Sequence, residues 1–271
     1  MTKIFLDHKM INADQALITS LTPGVLRAKG AFETMRFERG KVLALEAHLK
    51  RLFKCLRFQK IRSPYSMNQL KDLILSIPQT NSRHSAGIRL MVWQDNRRVR
   101  VAIVSQPITS LSRRCRAIVS KIIRPKTELS HLKSLDYFCF RRAFLEAKRQ
   151  GYDEAILLNR EGNVVEGSRT NIFFVKNKTL YTSALSSGCL DGITRQVVLK
   201  IARQNNIPCR MTKVKAQTLF QSDEAFLTNS IAGIMPLIQV NNRWIGQRKT
   251  GPMTKFFQKS YQKIASLDTV K

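Results

Sequence analysis

The sequence predicts a mixed α/β fold built as two domains, and three observations lead to that expectation. Apolar residues make up 43% of the chain and charged residues 24%, a composition typical of globular proteins that excludes a disordered chain. Short strand patterns alternate with longer stretches in which apolar residues recur at helical spacing. The stretch 106–114 contains Pro107 and three Ser or Thr residues, which indicates a break between domains. We therefore expect a smaller N-terminal α/β domain over 1–105, a linker over 106–114 and a larger C-terminal α/β domain over 115–271.

The N-terminal domain is predicted to contain two helices and several strands. Apolar residues within 46–58 lie on one helical stripe, which is typical of a helix with one buried face. A second helix is predicted over 67–76 and should end before Pro78, because proline lacks the N–H group that a helix interior needs. Runs of β-branched and aromatic residues bounded by turn residues predict strands. The predicted strands are 3–6, 32–38, 41–45, 87–93 and 99–104.

The C-terminal domain is predicted to alternate short strands with three helices. A helix over 135–150 is closed by Gly151, a residue suited to the left-handed conformation at helix ends. A helix over 194–206 stops before Pro208, and the last helix begins near Pro252. The predicted strands are 117–123, 154–159, 163–165, 171–175, 179–182 and 224–228.

The chain is strongly basic, with 47 Lys and Arg residues against 18 Asp and Glu and a formal net charge of +29. Phosphate contacts dominate the affinity of proteins for nucleic acids, so this charge prompts the question of such a partner. The basic residues are spread along the chain, however, and no RNA-binding aromatic motif or helix-turn-helix pattern occurs. We therefore expect nucleic-acid binding to be weak and independent of sequence. The positive field should also favour a small anionic substrate.

Cysteine usage and hydropathy exclude further classes of protein. The five cysteines and four histidines are scattered and show no C-x-x-C or zinc-ligand spacing, so we expect neither a metal site nor a disulfide framework. No apolar run reaches the roughly 20 residues that span a bilayer. The N-terminus becomes polar within a few residues, unlike a signal peptide. Together with the scattered cysteines, this predicts a cytoplasmic protein.

One block, residues 131–175, is unusually informative about chemistry. Lys133 is followed by the segment Gly-Tyr-Asp-Glu-Ala at 151–155 and then by Glu-Gly-Ser-Arg-Thr-Asn-Ile-Phe at 166–173. In this order the segments resemble the class IV aminotransferase family, the pyridoxal-phosphate enzymes of fold type IV. The resemblance implies the two-domain fold of D-amino-acid and branched-chain aminotransferases, pyridoxal 5'-phosphate as cofactor, and a homodimer. It extends to GAFETMR (30–36), EAHLKRL (46–52), LDGITR (190–195) and FLTNS (226–230).

The resemblance implies roles around the cofactor ring. Lys133 would bond to the cofactor aldehyde and later act as a base, a task that needs a neutral amine and is favoured by burial near other cations. Glu166 would bond to the pyridine nitrogen and keep the ring protonated, which makes the ring a better electron sink. Tyr137 follows Lys133 by four residues and would share its helical face if a helix has begun. It would bond to the phenolic oxygen of the cofactor, and Leu190 would pack against the ring.

The resemblance also implies a phosphate site. Arg51 stands in a His-Leu-Lys-Arg-Leu segment that matches the His-x-x-Arg-Leu motif of the family, whose arginine binds the phosphate. The planar fork of donors on arginine suits that task. Ile193 and Thr194 lie at a predicted helix start, where backbone amides and the helix dipole favour an anion. Thr228 resembles a further phosphate ligand at the end of a strand.

Two reactions of the family remain open at this point. Thr34 and the Thr-Asn-Ser segment 228–230 resemble 4-amino-4-deoxychorismate lyases, which release 4-aminobenzoate and pyruvate for folate synthesis. In that reaction Lys133 would remove a ring proton and Thr34 would assist proton delivery. Arg89 and Asn229 would bind the anionic substrate. The alternative is an amino-acid transaminase for branched-chain or D-amino acids.

Other features bear on this choice. Two features count against the lyase: the short loop 93–98 is atypical, because relatives often carry an Arg-Gly turn there, and Arg27 stands where many transaminases have an aromatic residue. A third hypothesis is a basic nucleic-acid-binding protein that has lost catalysis. The intact Lys133, Glu166 and Arg51 count against it, since a retired site would be free to lose them. Because of Thr34 and the segment 228–230, the sequence favours the lyase, with the transaminase as the alternative.

Overall fold

The computed structural model of the protein describes residues 2–16, 29–96, 98–108 and 114–267. Arg27 and most of the predicted linker lie outside the described residues. Those that are described form two compact units. The first unit contains the described residues up to 108 together with 132–136 and Leu267, and the second contains 114–131 and 137–266.

The first unit is built on a six-stranded sheet with the strand order β2-β1-β6-β5-β3-β4. All of its paired neighbours run antiparallel. Two helices, α1 and α2, accompany the sheet, with α1 packed on β3 and α2 on β1, β5 and β6. The elements are β1 Lys3–Leu6, β2 Lys9–Asn12, β3 Gly30–Glu38, β4 Lys41–Val42, α1 Leu45–Phe58, α2 Met67–Thr80, β5 Ser85–Asp95 and β6 Arg98–Gln106.

Side chains alternate between the two faces of this sheet. On β3, Ala31, Met35 and Phe37 are buried, and the leucines of the α1 stripe are buried with them. Glu33 belongs to the same alternating set and is fully buried. Phe32 and the residues two positions apart from it point to the other face. The β3–β5 register places Thr34 opposite Arg89 on that face.

The second unit is built on a nine-stranded mixed sheet with the path β12-β11-β10-β13-β14-β7-β8-β9, to which β15 is added beside β14. The β11–β12, β14–β7 and β7–β8 pairs are parallel. The elements are β7 Cys115–Ile123, α3 Phe138–Arg149, β8 Glu154–Leu158, β9 Val164–Gly167, β10 Asn171–Lys176, β11 Thr179–Ser183, α4 Ile193–Gln204, β12 Cys209–Thr212, α5 Ala216–Phe220, β13 Glu224–Asn229, β14 Gly233–Val240, β15 Arg243–Trp244 and α6 Pro252–Leu267.

The predicted mixed α/β fold is confirmed, and most predicted elements occur within a few residues of their expected bounds. The predicted strand 41–45 is wrong beyond Val42, because Ala44 takes a left-handed conformation (φ 53°) and leads directly into α1. The predicted end of α2 is also wrong, since Pro78 lies inside the helix. A single proline removes one backbone donor, and the buried apolar face of α2 offsets that loss. The sequence reasoning missed β2, β12, α5, β14 and β15.

The helix predicted over 135–150 begins only at Phe138. The residues before it pair with β3 instead: the N–H of Phe32 donates to the carbonyl of Lys133, and the N–H of Leu135 donates to the carbonyl of Gly30, both at 3.0 Å. This pairing places 132–136 in the first unit, which a linear division of the chain did not anticipate. Among the described residues, no helix is long and apolar enough to cross a membrane.

Candidate active site

Lys133 lies in an extended segment beside β3 rather than on a helix. Its Nζ lies 4.4 Å from the centroid of the Phe32 ring, so the ammonium faces the aromatic surface. The backbone around it is fixed by the two bonds to β3, which need the close approach that Gly30 permits. A Cβ at Gly30 would lie 2.7 Å from Cδ1 of Leu135 and 2.8 Å from Cα of Trp93. The lysine is therefore held at a defined position on the face of the first sheet that carries Phe32.

The same face carries two other predicted site residues. Thr34 is half-buried and follows Phe32 by two positions, so both side chains point to the side that Lys133 occupies. Arg89 is exposed, and its Cζ lies 5.7 Å from the Phe32 ring centroid. The structure therefore brings Lys133, Thr34 and Arg89 around one aromatic ring. The sequence reasoning missed Phe32, although its place in the GAFETMR motif was a usable signal.

Arg51 is bound to a buried carboxylate on the opposite face of that sheet. Its Nε donates to Oε1 of Glu33 and its Nη2 donates to Oε2, both at 2.7 Å. Nδ1 of His48 lies 2.7 Å from Oε2 of Glu33 and must carry the proton, because an ionised carboxylate only accepts. The three side chains form one buried network, which we call the Glu33 cluster. The predicted phosphate arginine is therefore oriented by Glu33, a partner that the sequence reasoning missed.

The electrostatics of the Glu33 cluster favour an ionised carboxylate and a neutral imidazole. Burial would raise the pKa of the Glu33 carboxyl, but Arg51 and His48 together lower it from 4.5 to about 2. Burial lowers the pKa of the His48 imidazole from 6.5, although Glu33 acts in the opposite direction. At neutral pH the cluster therefore contains one buried carboxylate paired with one guanidinium. The sequence signal for it was a carboxylate on β3 in the same alternating set as the apolar residues Ala31, Met35 and Phe37, which are buried.

In the second unit, Glu166 lies on β9 as a buried carboxylate with two donors. Its Oε2 accepts the N–H of Leu190 at 3.0 Å, and its Oε1 accepts Nε of Arg124 at 3.3 Å. The Arg124 guanidinium is itself buried and its Cζ lies 4.6 Å from the Phe140 ring centroid. Arg124 also donates to the carbonyl of Ser130 at 3.3 Å. Both carboxylate oxygens of Glu166 thus have a donor, and Arg124 was not identified from the sequence.

Glu154 organises the turn that follows Glu166. Its buried carboxylate accepts the N–H of Ser168 at 3.1 Å, the N–H of Arg169 at 3.3 Å and the hydroxyl of Thr170 at 3.1 Å. The Ser168 hydroxyl also donates to the same carboxylate. The Gly-Tyr-Asp-Glu-Ala motif thus contributes a structural acid that holds the Gly-Ser-Arg-Thr turn beside Glu166.

Tyr137 does not share a helical face with Lys133, so that expectation is wrong. It precedes α3, and its Oη donates to the carbonyl of Ser168 at 2.9 Å. Its ring stacks on Phe140 with a centroid distance of 4.7 Å. The extended backbone between Lys133 and Tyr137 is the reason, because the i, i+4 relation holds only within a helix. A bond from Tyr137 to the cofactor stays a prediction.

The start of α4 offers donors for an anion. Gly192 precedes the helix in an extended conformation, and no side chain caps its first amides. Ile193 and Thr194 are both buried at this end. Thr228 pairs with Asn171 across β13 and β10, and its Oγ1 is buried without a hydrogen-bond partner. Buried hydroxyls rarely lack a partner, so this one indicates a ligand acceptor.

The geometry places Thr228 on the same side of the sheet as the helix start. Directly paired residues of neighbouring strands point to the same face, so the Asn171 side chain and Thr228 are neighbours. Nδ2 of Asn171 donates to the carbonyl of Leu190 at 2.8 Å, just before Gly192. A Cβ at Gly192 would lie 3.1 Å from Cγ of Asn171 and would overlap its Oδ1. The buried hydroxyl, the uncapped amides and the close Gly192 contact together fit a phosphate ester.

Leu190 and Asn229 have mainly backbone or local partners. The backbone of Leu190 is fixed by two hydrogen bonds: its N–H donates to Glu166, and its carbonyl accepts from Asn171. Oδ1 of Asn229 accepts the N–H groups of Ile231 at 3.0 Å and Ala232 at 2.7 Å, which closes a turn. The amide oxygen of Asn229 is therefore occupied, and a substrate contact by this residue stays a prediction. The described residues contain no group of His, Cys, Asp and Glu that could hold a metal ion.

Comparison with known proteins assigns the chain to a class of enzyme. The family model described as amino-transferase class IV matches residues 30–240. The chain belongs to this family of enzymes, and the family resemblance seen in the sequence is confirmed. The family uses pyridoxal 5'-phosphate, which confirms the predicted cofactor.

Individual relatives carry aminotransferase names. The chain is 31% identical over 277 residues to a putative branched-chain-amino-acid aminotransferase of Methanocaldococcus jannaschii, covering 97% of this chain and 96% of the relative. It is 25% identical over 285 residues to a D-alanine aminotransferase of Bacillus licheniformis, with 99% of both chains covered. Its fold matches the crystal structure of a branched-chain aminotransferase from Thermoproteus uzoniensis with norvaline at a TM-score of 0.89 and 30% identity, covering 99% of this chain and 95% of that one.

The site residues described above fit pyridoxal phosphate in their chemistry. The unpartnered Thr228 hydroxyl and the uncapped start of α4 supply donors for the phosphate. Glu166 supplies a buried carboxylate for a protonated pyridine nitrogen. Lys133 supplies the amine for the aldehyde, and its Nζ lies 4.4 Å from the centroid of the Phe32 ring. Each of these groups thus suits one polar part of the cofactor: the phosphate, the ring nitrogen or the aldehyde.

Proposed function

We propose that this protein is an amino-acid aminotransferase that moves an amino group between an amino acid and a 2-oxo acid. The observation that carries the proposal is similarity over 97% of the chain, at 31% identity, to a putative branched-chain-amino-acid aminotransferase. The D-alanine aminotransferase relative supports the same reaction class. The comparisons therefore favour the transaminase alternative over the lyase that the sequence reasoning preferred.

The proposed roles follow from the chemistry of each side chain. The cofactor, when bound, accepts the substrate amine and draws electrons from the bond to the Cα proton. As a general base, Lys133 Nζ would take that proton from Cα and deliver it to C4′ of the cofactor, which is the proton shift that transamination requires. Glu166, held by Arg124 and the N–H of Leu190, keeps the proton on the pyridine nitrogen.

Other residues hold and orient. The amides of Ile193 and Thr194 and the hydroxyl of Thr228 bind the phosphate, and Leu190 packs on the ring. Arg51, oriented by Glu33, contributes positive charge for the same phosphate. We propose in addition a homodimer in the cytoplasm, which size-exclusion chromatography with light scattering and cell fractionation would check.

Substrate contacts are proposed for the face of the first sheet that carries Phe32, Thr34 and Arg89. Arg89 beside Phe32 supplies a guanidinium for the substrate carboxylate, and the exposed position of Arg89 leaves it accessible. Met91 pairs with Phe32 across β5 and β3 and is half-buried, so it can offer apolar surface to an aliphatic side chain. Such a surface suits a branched-chain or alanine side chain better than a second carboxylate.

The lyase is the second candidate, and one observation favours it. The Thr34 hydroxyl lies on the face that carries Lys133 and Phe32, where it can assist proton delivery. Thr34→Gly should then depress 4-aminobenzoate formation by roughly tenfold to a thousandfold, within the range of a positioned proton-transfer group. If transamination is the reaction, the same change should alter its rate far less.

A paired assay decides between the two reactions. The protein loaded with pyridoxal phosphate is incubated with single amino acids and 2-oxoglutarate, and glutamate is measured. In parallel it is incubated with aminodeoxychorismate, and 4-aminobenzoate is measured. We expect glutamate with leucine, valine or D-alanine and no 4-aminobenzoate. Formation of 4-aminobenzoate without transamination would overturn the proposal in favour of the lyase.

A further inference from the structure

The exposed face of α3 carries a dense group of cations. The opposite side of the helix, with Phe140, Ala143 and Ala147, is buried against β7 and β8. Residues three and four positions apart share a helix face, so the solvent side forms one continuous surface. The exposed residues on it are Phe138, Arg141, Arg142, Lys148 and Arg149.

The turn after α3 gathers further cations at the end of this face. Nη2 of Arg116, on β7, donates to the carbonyl of Gly151 at 2.9 Å. Nη2 of Arg169 donates to the carbonyl of Asp153 at 3.4 Å, and Nζ of Lys148 lies 3.9 Å from Oδ1 of the same residue. Cations from β7, from α3 and from the turn between β9 and β10 therefore meet at one turn. We define the α3 basic face as Arg116, Arg141, Arg142, Lys148, Arg149 and Arg169.

Three of these arginines lie against aromatic rings, among them Arg142, whose Cζ is 5.8 Å from the Phe138 ring centroid. Cζ of Arg169 lies 3.6 Å from the Phe144 ring centroid, and Cζ of Arg116 lies 5.7 Å from that of Tyr152. Stacking on a ring uses none of the five N–H donors of a guanidinium. Side chains that are already ordered lose less entropy when they bind a partner. The face is thus preorganised for an anion that spans several cations.

The neighbouring carboxylates do not neutralise the face. Asp153 is engaged, because its Oδ2 accepts the N–H of Arg116 at 2.9 Å and its Oδ1 lies near Lys148. Glu146 is the one acidic residue of the α3 sequence, and it accepts the hydroxyl of Ser120. Six cations against two engaged carboxylates leave a strong local excess of positive charge.

We propose that the α3 basic face binds nucleic acid through its phosphodiester backbone, without reading sequence. Arg141 and Arg149 are eight residues apart, about 12 Å along the helix, which matches roughly three to four base pairs of duplex. The attraction rests on charge alone, so we expect the face to contact phosphates, which carry no sequence information. Phe138 is its one large exposed apolar side chain, which is too little for insertion into a membrane.

The test compares two variants with equal loss of charge. In the first, Arg116, Arg142, Lys148 and Arg149 are replaced by Gln, and in the control Lys200, Arg203, Lys255 and Lys259 are replaced by Gln. All eight residues are exposed. Fluorescence anisotropy with a labelled duplex of about 20 base pairs and arbitrary sequence is measured on the holoenzyme over a range of salt concentrations.

We expect the α3 variant to bind at least tenfold more weakly at low salt and the control less than threefold more weakly. The slope of log affinity against log salt should fall by about three to four for the α3 variant, since four phosphate contacts are lost. An equal loss in both variants would overturn the proposal and assign the binding to net charge alone. Unchanged melting temperature and cofactor absorbance would show that both variants are folded and loaded.

Two further arms distinguish the partner and the chemistry. A variant with Lys at the three arginine positions Arg116, Arg142 and Arg149 keeps the charge, and we expect it to bind within threefold of the wild type. A loss as large as in the Gln variant would contradict backbone binding by charge. Vesicles of phosphatidylserine and phosphatidylcholine should bind more weakly than the duplex at equal salt. Tighter binding to the vesicles would overturn the proposal in favour of a membrane surface.

Discussion

Glu33 is the residue whose position most changes the interpretation of Arg51. The family motif predicts that the arginine contacts phosphate, and the structure shows it bonded through Nε and Nη2 to Glu33. A bidentate pair fixes the guanidinium plane, which leaves the remaining edge of the side chain at a defined orientation. The carboxylate therefore acts as the support of the predicted phosphate arginine, and it is shared with His48.

Replacing this carboxylate should destabilise the protein in a pH-dependent way. Glu33→Gln leaves the Arg51 guanidinium without its buried partner, which should cost about 3–5 kcal/mol at pH 7. The pKa of Glu33 is about 2 in the fold against an ordinary 4.5, so its stabilisation is present above pH 4.5 and is lost as the pH falls towards 2. Urea unfolding of wild type and variant from pH 2 to pH 8 should show their difference shrinking over that window.

The control for this prediction is Glu46→Gln. Glu46 pairs with Lys50 at the surface of α1, with both side chains exposed. Exposed pairs of this kind contribute little, so the change should leave the free energy of unfolding nearly unaltered at every pH. A Glu33 variant that behaves like the Glu46 variant would show that the buried pair does not support the fold.

Lys133 is the residue on which the proposed chemistry depends. Lys133→Ala should remove the covalent cofactor bond and lower turnover by at least about a thousandfold, because the same amine serves as the base. The visible absorbance of the cofactor–lysine bond and the rate of glutamate formation are the measurements. The control is Lys126→Ala, which changes an exposed lysine and should keep both the absorbance and the rate.

Borohydride reduction of the wild type gives an independent check of the lysine. The reduced cofactor should remain attached to a peptide that contains Lys133 after proteolysis. Attachment to any other lysine would contradict the assignment, whatever the activity of the Lys133 variant.

At the scale of elements, the start of α4 is the feature that a phosphate needs. Its first amides are uncapped, and the helix dipole places partial positive charge at the same end. The close contact of Gly192 with Asn171 keeps the backbone within reach of Thr228 on the neighbouring strand. Helix and sheet thus meet at the buried hydroxyl.

Gly192→Ala should weaken cofactor binding. The added Cβ would overlap Oδ1 of Asn171, which is itself held by a bond from Nδ2 to the carbonyl of Leu190. The start of α4 must then shift, and we expect about a tenfold rise in the dissociation constant of pyridoxal phosphate in a fluorescence titration. Lys200→Ala on the exposed side of α4 should leave that constant unchanged. Equal affinity in both variants would show that the helix start does not bind the phosphate.

At the scale of the whole molecule, the cofactor should contribute to stability. A ligand that binds only the folded state at a hundred times its dissociation constant stabilises by about 2.7 kcal/mol. For a chain of this size that corresponds to a rise in melting temperature of roughly 5–10 °C. Differential scanning calorimetry of the protein with and without pyridoxal phosphate measures it. Pyridoxal without the phosphate should raise the melting temperature less, and an equal rise would count against the phosphate site.

The extent of prediction from sequence differs among these features. The helix α1 and the strand β3 were identified because periodicity of apolar residues is a local property of the chain. The motifs around Lys133 and Glu166 identified the family and the cofactor, because a motif is a local pattern of residue types that can be recognised without the structure. The reaction was less accessible, because Thr34 and the 228–230 segment distinguish close relatives by only a few side chains.

The sequence by itself determined the mixed α/β class, the family and the set of residue types that the cofactor needs. Only the tertiary structure decided which partners those residues have: Arg51 with Glu33, Glu166 with Arg124, and the Lys133 segment with β3. The physical reason is that secondary structure follows from neighbours within a few positions, whereas a buried charge selects its partner among residues 18 to 42 positions away. For Lys133 the distance along the chain is larger still, so that its place beside β3 could not be inferred from local pattern.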